Sequence, residues 1–364
     1  MNTADPEQQI RVTDPETTHR SVQGTMIGNF MEWYDFGVYG FIATTVAQVF
    51  YPGNSVSAAN LIATFGTQAA AFAVRPLGGF VFGPLGDRIG RKQVLMVTIL
   101  LMTIGTTMTG LLPGYRSIGI WAPILLVVTR VLQGFSTGGE YAGAMTYLAE
   151  QAPDRKRGKL AGFLPLGSQG GFVVAGALVT GLRTWLPADD MLGWGWRIPL
   201  LLSAPLGLAA LYMRLRLEES RAYENVDESD EASGDGGGQQ FRDTVVQQWK
   251  PLLICIGMVL TYNVADYLLT GYLPTYLTAI VHIGHTAGLV MIVATLAILT
   301  TAVVFVAKLS DRIGVKPIQW TGTGLLVALS VPAFLLIRFG GSYPLIFAGV
   351  LLIGLITLCF IGTA

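Results

Sequence analysis

The sequence predicts an all-α protein that crosses a membrane many times, and three observations carry that expectation. Apolar segments of about 20 residues, each long enough to span roughly 30 Å of hydrocarbon, recur along nearly the whole chain. Of its residues 52% are hydrophobic and 13% charged, against about 25% charged in soluble domains. The stretch GPLGDRIGRK at 83–92 returns as KLSDRIGVK at 308–316, 224 residues later, in matching loops between apolar segments. Self-similarity of that kind marks a duplicated unit.

Ten spans are expected, at 24–50, 58–85, 92–112, 119–146, 158–182, 195–215, 250–280, 285–307, 317–338 and 343–363. Residues 1–23 read as a polar tail without the basic start and short apolar core of a cleavable signal. The segment 218–248, rich in Glu, Asp, Ser and Gly, is too polar to bury a core and reads as a linker. It divides a six-helix bundle at 24–217 from a partial bundle of four helices at 249–364. The repeated loop falls between the second and third spans of each set. The second set is two spans short of the first, and the chain stops at Ala364 directly after an apolar run, so a piece of a longer protein is expected.

Orientation follows from Lys and Arg. One side carries the basic loops, with Arg88, Arg91, Lys92, Arg155, Arg214, Lys308, Arg312 and Lys316 among them; the other has only Arg116, Arg183, Arg197 and Arg338. The N-terminus is therefore expected in the cytoplasm. Formal net charge is zero with the cations scattered over loops, which argues against nucleic acid as a partner. Cys255 and Cys359 both fall within spans and suggest neither a disulfide framework nor a metal site. No Ser-His-Asp or phosphate-cradle pattern appears, so no enzyme is expected.

Charged residues inside the spans carry the chemistry, because an acid at mid-membrane costs about 2.5–3.5 kcal/mol on insertion scales and must face protein or water. Glu32 and Asp35, three apart in GNFMEWYDFGVYGF, share one helix face. At 1.5 Å per residue, Asp35, Arg75 and Arg130 all come out about 15–16 Å from an end of their spans. Charges of both signs at one level suggest a network lining a central cavity. Two readings stay open: an ion pair that only fixes packing, or a carboxylate that exchanges a proton as the network rearranges. Glu140, about 15 Å along the axis from Arg130, is assigned to the cytoplasmic gate, with a purely structural role as the alternative. Asp266, with Tyr267 and neighbouring tyrosines, forms an aromatic and polar face that could attract a quaternary ammonium group or simply anchor the helix at the interface. The repeated loops, with Gly86, Asp87, Arg88, Gly90 and Arg91 in one copy and Asp311, Arg312 and Gly314 in the other, either set topology alone or latch onto the ends of neighbouring helices.

The two loops and RVLQGFSTGGEYAGA (130–144) together resemble the major facilitator superfamily from Gly24 onward. GNFMEWYDFGVYG, RPLGG, GGEYAGA, APDRKRG and WGWRIP are similar to its bacterial metabolite:proton symporter family, and the segments 121–126, 252–277 and 288–294 resemble its osmosensory proline/glycine betaine branch. The resemblance implies a twelve-helix fold in two bundles, here with the last two helices missing. It also implies uptake of a zwitterionic osmolyte with a proton, by alternating access, across the bacterial inner membrane. Asp87 would then meet the eleventh helix and Asp311 the fifth. The alternatives are a proton symporter for an organic acid such as 2-oxoglutarate, citrate or shikimate, and a non-transporting membrane sensor. The expected partners are a small solute, protons and lipid, with no cofactor. The oligomeric state is not legible.

Overall fold

The structure, a computed structural model, describes residues 15–53, 56–151, 163–215 and 248–361. The first half comprises α1 (Pro15–Phe41), α2 (Ala43–Val49), α3 (Ala58–Ile89), α4 (Arg91–Leu111), the short α5 (Tyr115–Ile118), α6 (Trp121–Gln151), α7 (Phe163–Trp185), the short α8 (Ala188–Asp190), α9 (Arg197–Leu201) and α10 (Ser203–Leu215). The second half comprises α11 (Trp249–Tyr267), α12 (Leu273–Ala279), α13 (His285–Ile313), α14 (Val315–Phe339) and α15 (Tyr343–Ile361). Wider π-helical turns at Met191–Gly195 and Leu268–Tyr272 lead into α9 and α12. No strand occurs among the described residues.

The expected spans are present with three local differences. First, α1 already covers Pro15 onward, inside the stretch read as a polar tail. Second, span one is interrupted at Ile42, between α1 and α2. Third, span six starts near Ala188 instead of 195. The linker at 218–248 lies, but for Gln248, outside the described residues.

Eight helical stretches among the described residues are long and apolar enough to cross a membrane. The first and fourth expected spans, α1 and α6, are not among them. Residues 31–39 of α1 are buried on every side, so this helix has no lipid face to keep apolar and can carry Glu32 and Asp35. In α6, Arg130, Gln133, Ser136, Thr137 and Glu140 are likewise buried.

Small residues set the packing. A Cβ on Gly134 would land on the Ala71 carbonyl oxygen, one on Gly138 on that of Arg75, and one on Gly78 on that of Phe135, so α3 and α6 touch backbone to backbone. This is close contact through glycines spaced by four. On α7 a Cβ at Gly171 would meet the Phe30 carbonyl at 2.5 Å and the Tyr34 nitrogen at 2.7 Å. Asn29 fixes the register of α1 on α7 by donating to the Leu164 carbonyl and the Ser168 hydroxyl, both at 2.6 Å.

The halves meet where α7 packs on α13 and α1 packs on the Leu268–Tyr272 turn. One apolar cluster crosses this seam, running from Trp33, Phe41 and Phe172 to Leu269, Leu289 and Ile292. Along α11 and α12 burial changes abruptly: residues 248–260 are all exposed, whereas Asp266, Leu269, Leu273 and Leu277 are buried. The repeated loops are corners of the same shape. Gly90 ends α3 and opens α4 at φ 95°, and Gly314 does the same between α13 and α14 at φ 89°. Side chains rarely adopt this conformation, which is why both copies place glycine there.

Candidate functional site

On α1, Glu32 is fully buried and lies 3.1 Å from Arg75 of α3. The Arg75 guanidinium sits over two rings, 4.4 Å from the centre of Phe36 and 4.6 Å from that of Phe72. Tyr267, from the second half, closes the box: its ring is 4.7 Å from Phe72 and 5.9 Å from Trp33. An ion pair is thus walled by aromatics from both halves, directly on the seam. Glu32 is sealed, while the Arg75 side chain keeps 22% of its surface exposed. The contact is one of charge alone, since both Glu32 oxygens and the Arg75 Nη2 and Nε lack a well-directed hydrogen bond. Arg75 therefore has donors to spare for a second anion.

Asp35, one turn further along α1, points elsewhere. It accepts from Thr106 of α4 at 2.8 Å and from Ser203 of α10 at 2.5 Å. Arg130 lies over the Tyr39 ring, 3.9 Å from its centre, and donates to Gln133 at 2.6 Å. The expected single network resolves into a Glu32–Arg75 ion pair, Asp35 held by two hydroxyls, and Arg130 on a ring and an amide, with Arg130 near enough to Asp35 to act on it through charge without an ion pair. Of the three mid-membrane charges first aligned by depth, none is ion-paired to another.

Glu140 is paired with Arg214 through both guanidinium nitrogens, and Thr98 donates to it at 2.6 Å. Arg214 also donates to the Leu95 carbonyl. Gly28 of α1 lies against this pair; a Cβ there would strike the Arg214 guanidinium. All these groups belong to the first half, so Glu140 ties α4, α6 and α10 together beneath α1. Arg214, counted from sequence among the loop cations, is a fully buried member of the bundle.

Asp266 is buried beside the π-helical turn, and neither carboxylate oxygen makes a formed hydrogen bond. Gln169 of α7 faces it across the seam. Tyr267 contributes its ring to the box, and its hydroxyl is also without a hydrogen-bond partner. The loop residues Gly86, Arg88, Gly90, Arg91, Arg312 and Gly314 lie at the two corners. The side chains of Asp87 and Asp311, and the segment 152–162 where the fifth span was expected to begin, lie outside the described residues, and with them both proposed latches.

Sequence reading missed Arg214, Thr106, Ser203, Gln133 and Gln169. For α10 a signal existed: Ser203, Gly207, Ala210 and Arg214 form one buried stripe at helical spacing. Two of the four arginines assigned to the opposite side also have positions beyond topology. Arg197 donates to the carbonyls of Gly110 and Leu112 at 2.8 and 2.9 Å, closing the end of α4. Arg338 donates to the Ile280 carbonyl at 2.8 Å, just past α12.

Two helical halves with matching corner loops, meeting along a seam that holds buried charge, define a membrane transporter of the major facilitator type. The chain belongs to the sugar (and other) transporter family, whose model matches residues 22–363. It is 41% identical to the proline/betaine transporter of Salmonella typhimurium, over 97% of this chain and 71% of that protein. It is 42% identical to the ectoine/proline transporter ProP of Corynebacterium glutamicum, over 91% of this chain and 68% of that protein. Among solved structures, the partially occluded inward-open form of the xylose transporter XylE from E. coli superposes with a TM-score of 0.75 at 18% identity, covering 95% of this chain and 84% of that one. At that identity the likeness concerns the fold.

Proposed function

We propose that the protein imports a small zwitterionic solute, of the kind represented by proline, glycine betaine and ectoine, together with a proton, by alternating access. The observation that carries this is the aromatic-walled Arg75–Glu32 pair on the seam. A betaine-like solute has the inverse pattern. Its carboxylate suits the spare donors of Arg75, and its ammonium suits the faces of Phe72, Trp33 and Tyr267. Once the solute carboxylate takes Arg75, Glu32 is left buried without a counter-charge. An uncompensated buried carboxylate is costly enough that it takes up a proton instead, so solute and proton arrive together. Release of the solute returns Arg75 to Glu32 and expels the proton. Tyr267 and Asp266 stand on the second half, so closing the box also draws the halves together. No group beyond solute and proton is needed for this cycle.

The excess of Lys and Arg on the side of the repeated loops supports a cytoplasmic N-terminus, and the bacterial sources of the relatives support a site in the bacterial inner membrane. The names of the relatives support the solute class. Uptake of labelled proline into vesicles containing the protein tests the reading. An inward proton gradient is expected to drive accumulation, an uncoupler to abolish it, and unlabelled glycine betaine to compete while citrate and 2-oxoglutarate do not. Glu32→Gln is expected to bind solute yet fail to accumulate it against a gradient. Competition by the organic acids alone would replace this reading with organic-anion symport.

A further inference from the structure

The end of the seam opposite the repeated loops holds a second cation that no part of the cycle above uses. Arg183, near the end of α7, donates from Nη2 to Thr45 at 2.9 Å and to Thr44 at 3.3 Å, both on α2. Its Nε is buried without a partner, and no acid pairs with it among the described residues. It borders a cavity of about 230 Å³ whose wall includes Gln48, Leu186, Met191 and Thr286. A narrower cleft on its other side reaches Thr275 and Thr278 of the second half. A cation in a membrane span without an acid is expensive and marks a functional site. Apart from Arg183 the wall carries no charge: its polar groups are the hydroxyls of Thr44, Thr45 and Thr286 and the Gln48 amide, and Leu186, Ala188, Met191 and Leu192 make up the rest. The volume is enough for one small solute.

We propose that this cavity is a peripheral capture site for the carboxylate of a small zwitterion, occupied before the solute reaches the box at Arg75. The proposal rests on the transport reading given above. Arg183 supplies the charge, Thr44 and Thr45 hold its guanidinium in place, and Gln48 and Thr286 complete the polar wall. Because the cavity wall draws on α2 and α7 of one half and, through Thr286, on α13 of the other, a captured solute bridges the seam at its outer end. The site recognises the carboxylate, and it lacks the aromatic walls of the inner box. Choline, which carries the ammonium without the acid, is therefore excluded from it.

Equilibrium binding of labelled glycine betaine to the purified full chain, in nanodiscs of phosphatidylcholine alone, tests this. The expected result is two sites in the unaltered protein, one in Arg183→Gln and one in Arg75→Gln, with labelled choline never filling the Arg183 site. In uptake, Arg183→Gln is expected to raise KM about tenfold, the factor one charge-assisted hydrogen bond commands, with kcat unchanged. Thr45→Val, which leaves the charge in place, is expected to raise KM by a smaller factor and guards against misfolding of the arginine variant. One site in the unaltered protein, lost in Arg75→Gln and kept in Arg183→Gln, would overturn the capture site and leave the transport reading standing. No betaine bound by the unaltered protein would overturn both. An effect of Arg183→Gln seen only when anionic lipid is added would assign the cavity to a lipid headgroup and also overturn the proposal.

Discussion

Replacing Arg214 by glutamine removes the charge that Glu140 faces inside the first half. Arg214 makes two nitrogen contacts to Glu140 and one to the Leu95 carbonyl, and Thr98 supplies the remaining donor to Glu140 at 2.6 Å. Both side chains are essentially sealed from solvent, at 0% and 2% exposure, so neither charge can be rehydrated without opening the bundle. Breaking such a pair costs about 3–5 kcal/mol, because the remaining charge stays buried and unpaired. Glu140→Gln is expected to cost a similar amount, as it strands the guanidinium between Gly28 and Leu95. The double variant Glu140→Met with Arg214→Leu removes both charges and fills similar volume, and is expected within about 2 kcal/mol of the unaltered protein. Equilibrium unfolding of the purified protein in detergent, with Glu140→Met and Arg214→Leu also made singly to complete a double-mutant cycle, measures the coupling directly. If Arg214→Gln falls within about 0.5 kcal/mol of the unaltered protein, or if the double variant is as unstable as the two single variants added together, the pair is not the structural tie described here.

Three further expectations follow from the same geometry. Gly138→Ala places a methyl group against the Arg75 carbonyl, must force α3 and α6 apart, and should cost about 1–3 kcal/mol. Gly83→Ala meets nothing within 4 Å and should stay within about 0.5 kcal/mol in the same unfolding assay. At the corners, Gly90→Ala and Gly314→Ala should each cost about 1–3 kcal/mol from the positive φ alone, whereas Gly86→Ala, whose nearest new contact is a Val94 methyl at 3.8 Å, should be mild; equal losses at Gly86 and Gly90 would refute this account of the repeat. In the aromatic box, Tyr267→Phe should leave betaine KM unchanged because the hydroxyl has no hydrogen-bond partner, and Tyr267→Ala should raise it by up to about thirtyfold, the worth of one desolvated cation–π contact. Matching losses for the two variants would show that the hydroxyl, and not the ring face, meets the solute.

The sequence by itself determined the course of the chain through the membrane, its duplication and the glycine corners, because span length, hydropathy and backbone conformation are local properties. It also placed Glu32, Asp35, Arg75, Arg130 and Asp266 inside helices. It could not choose their partners. Depth along the axis put Asp35, Arg75 and Arg130 at one level, but which side chains meet depends on how each helix is rotated about its axis, and rotation is set by many weak contacts such as those of Gly134, Gly138 and Gly171 with neighbouring backbones. Only the tertiary structure therefore turned Asp35 toward Thr106 and Ser203, drew Arg214 inward to Glu140, gave Arg75 its aromatic walls from both halves, and set Arg183 beside a cavity. Arg183 and Arg214 were the hardest to read for one physical reason: near the end of a span, an arginine that anchors at the interface and one that bends into the bundle have the same sequence position, and only the packing of neighbouring helices decides between them.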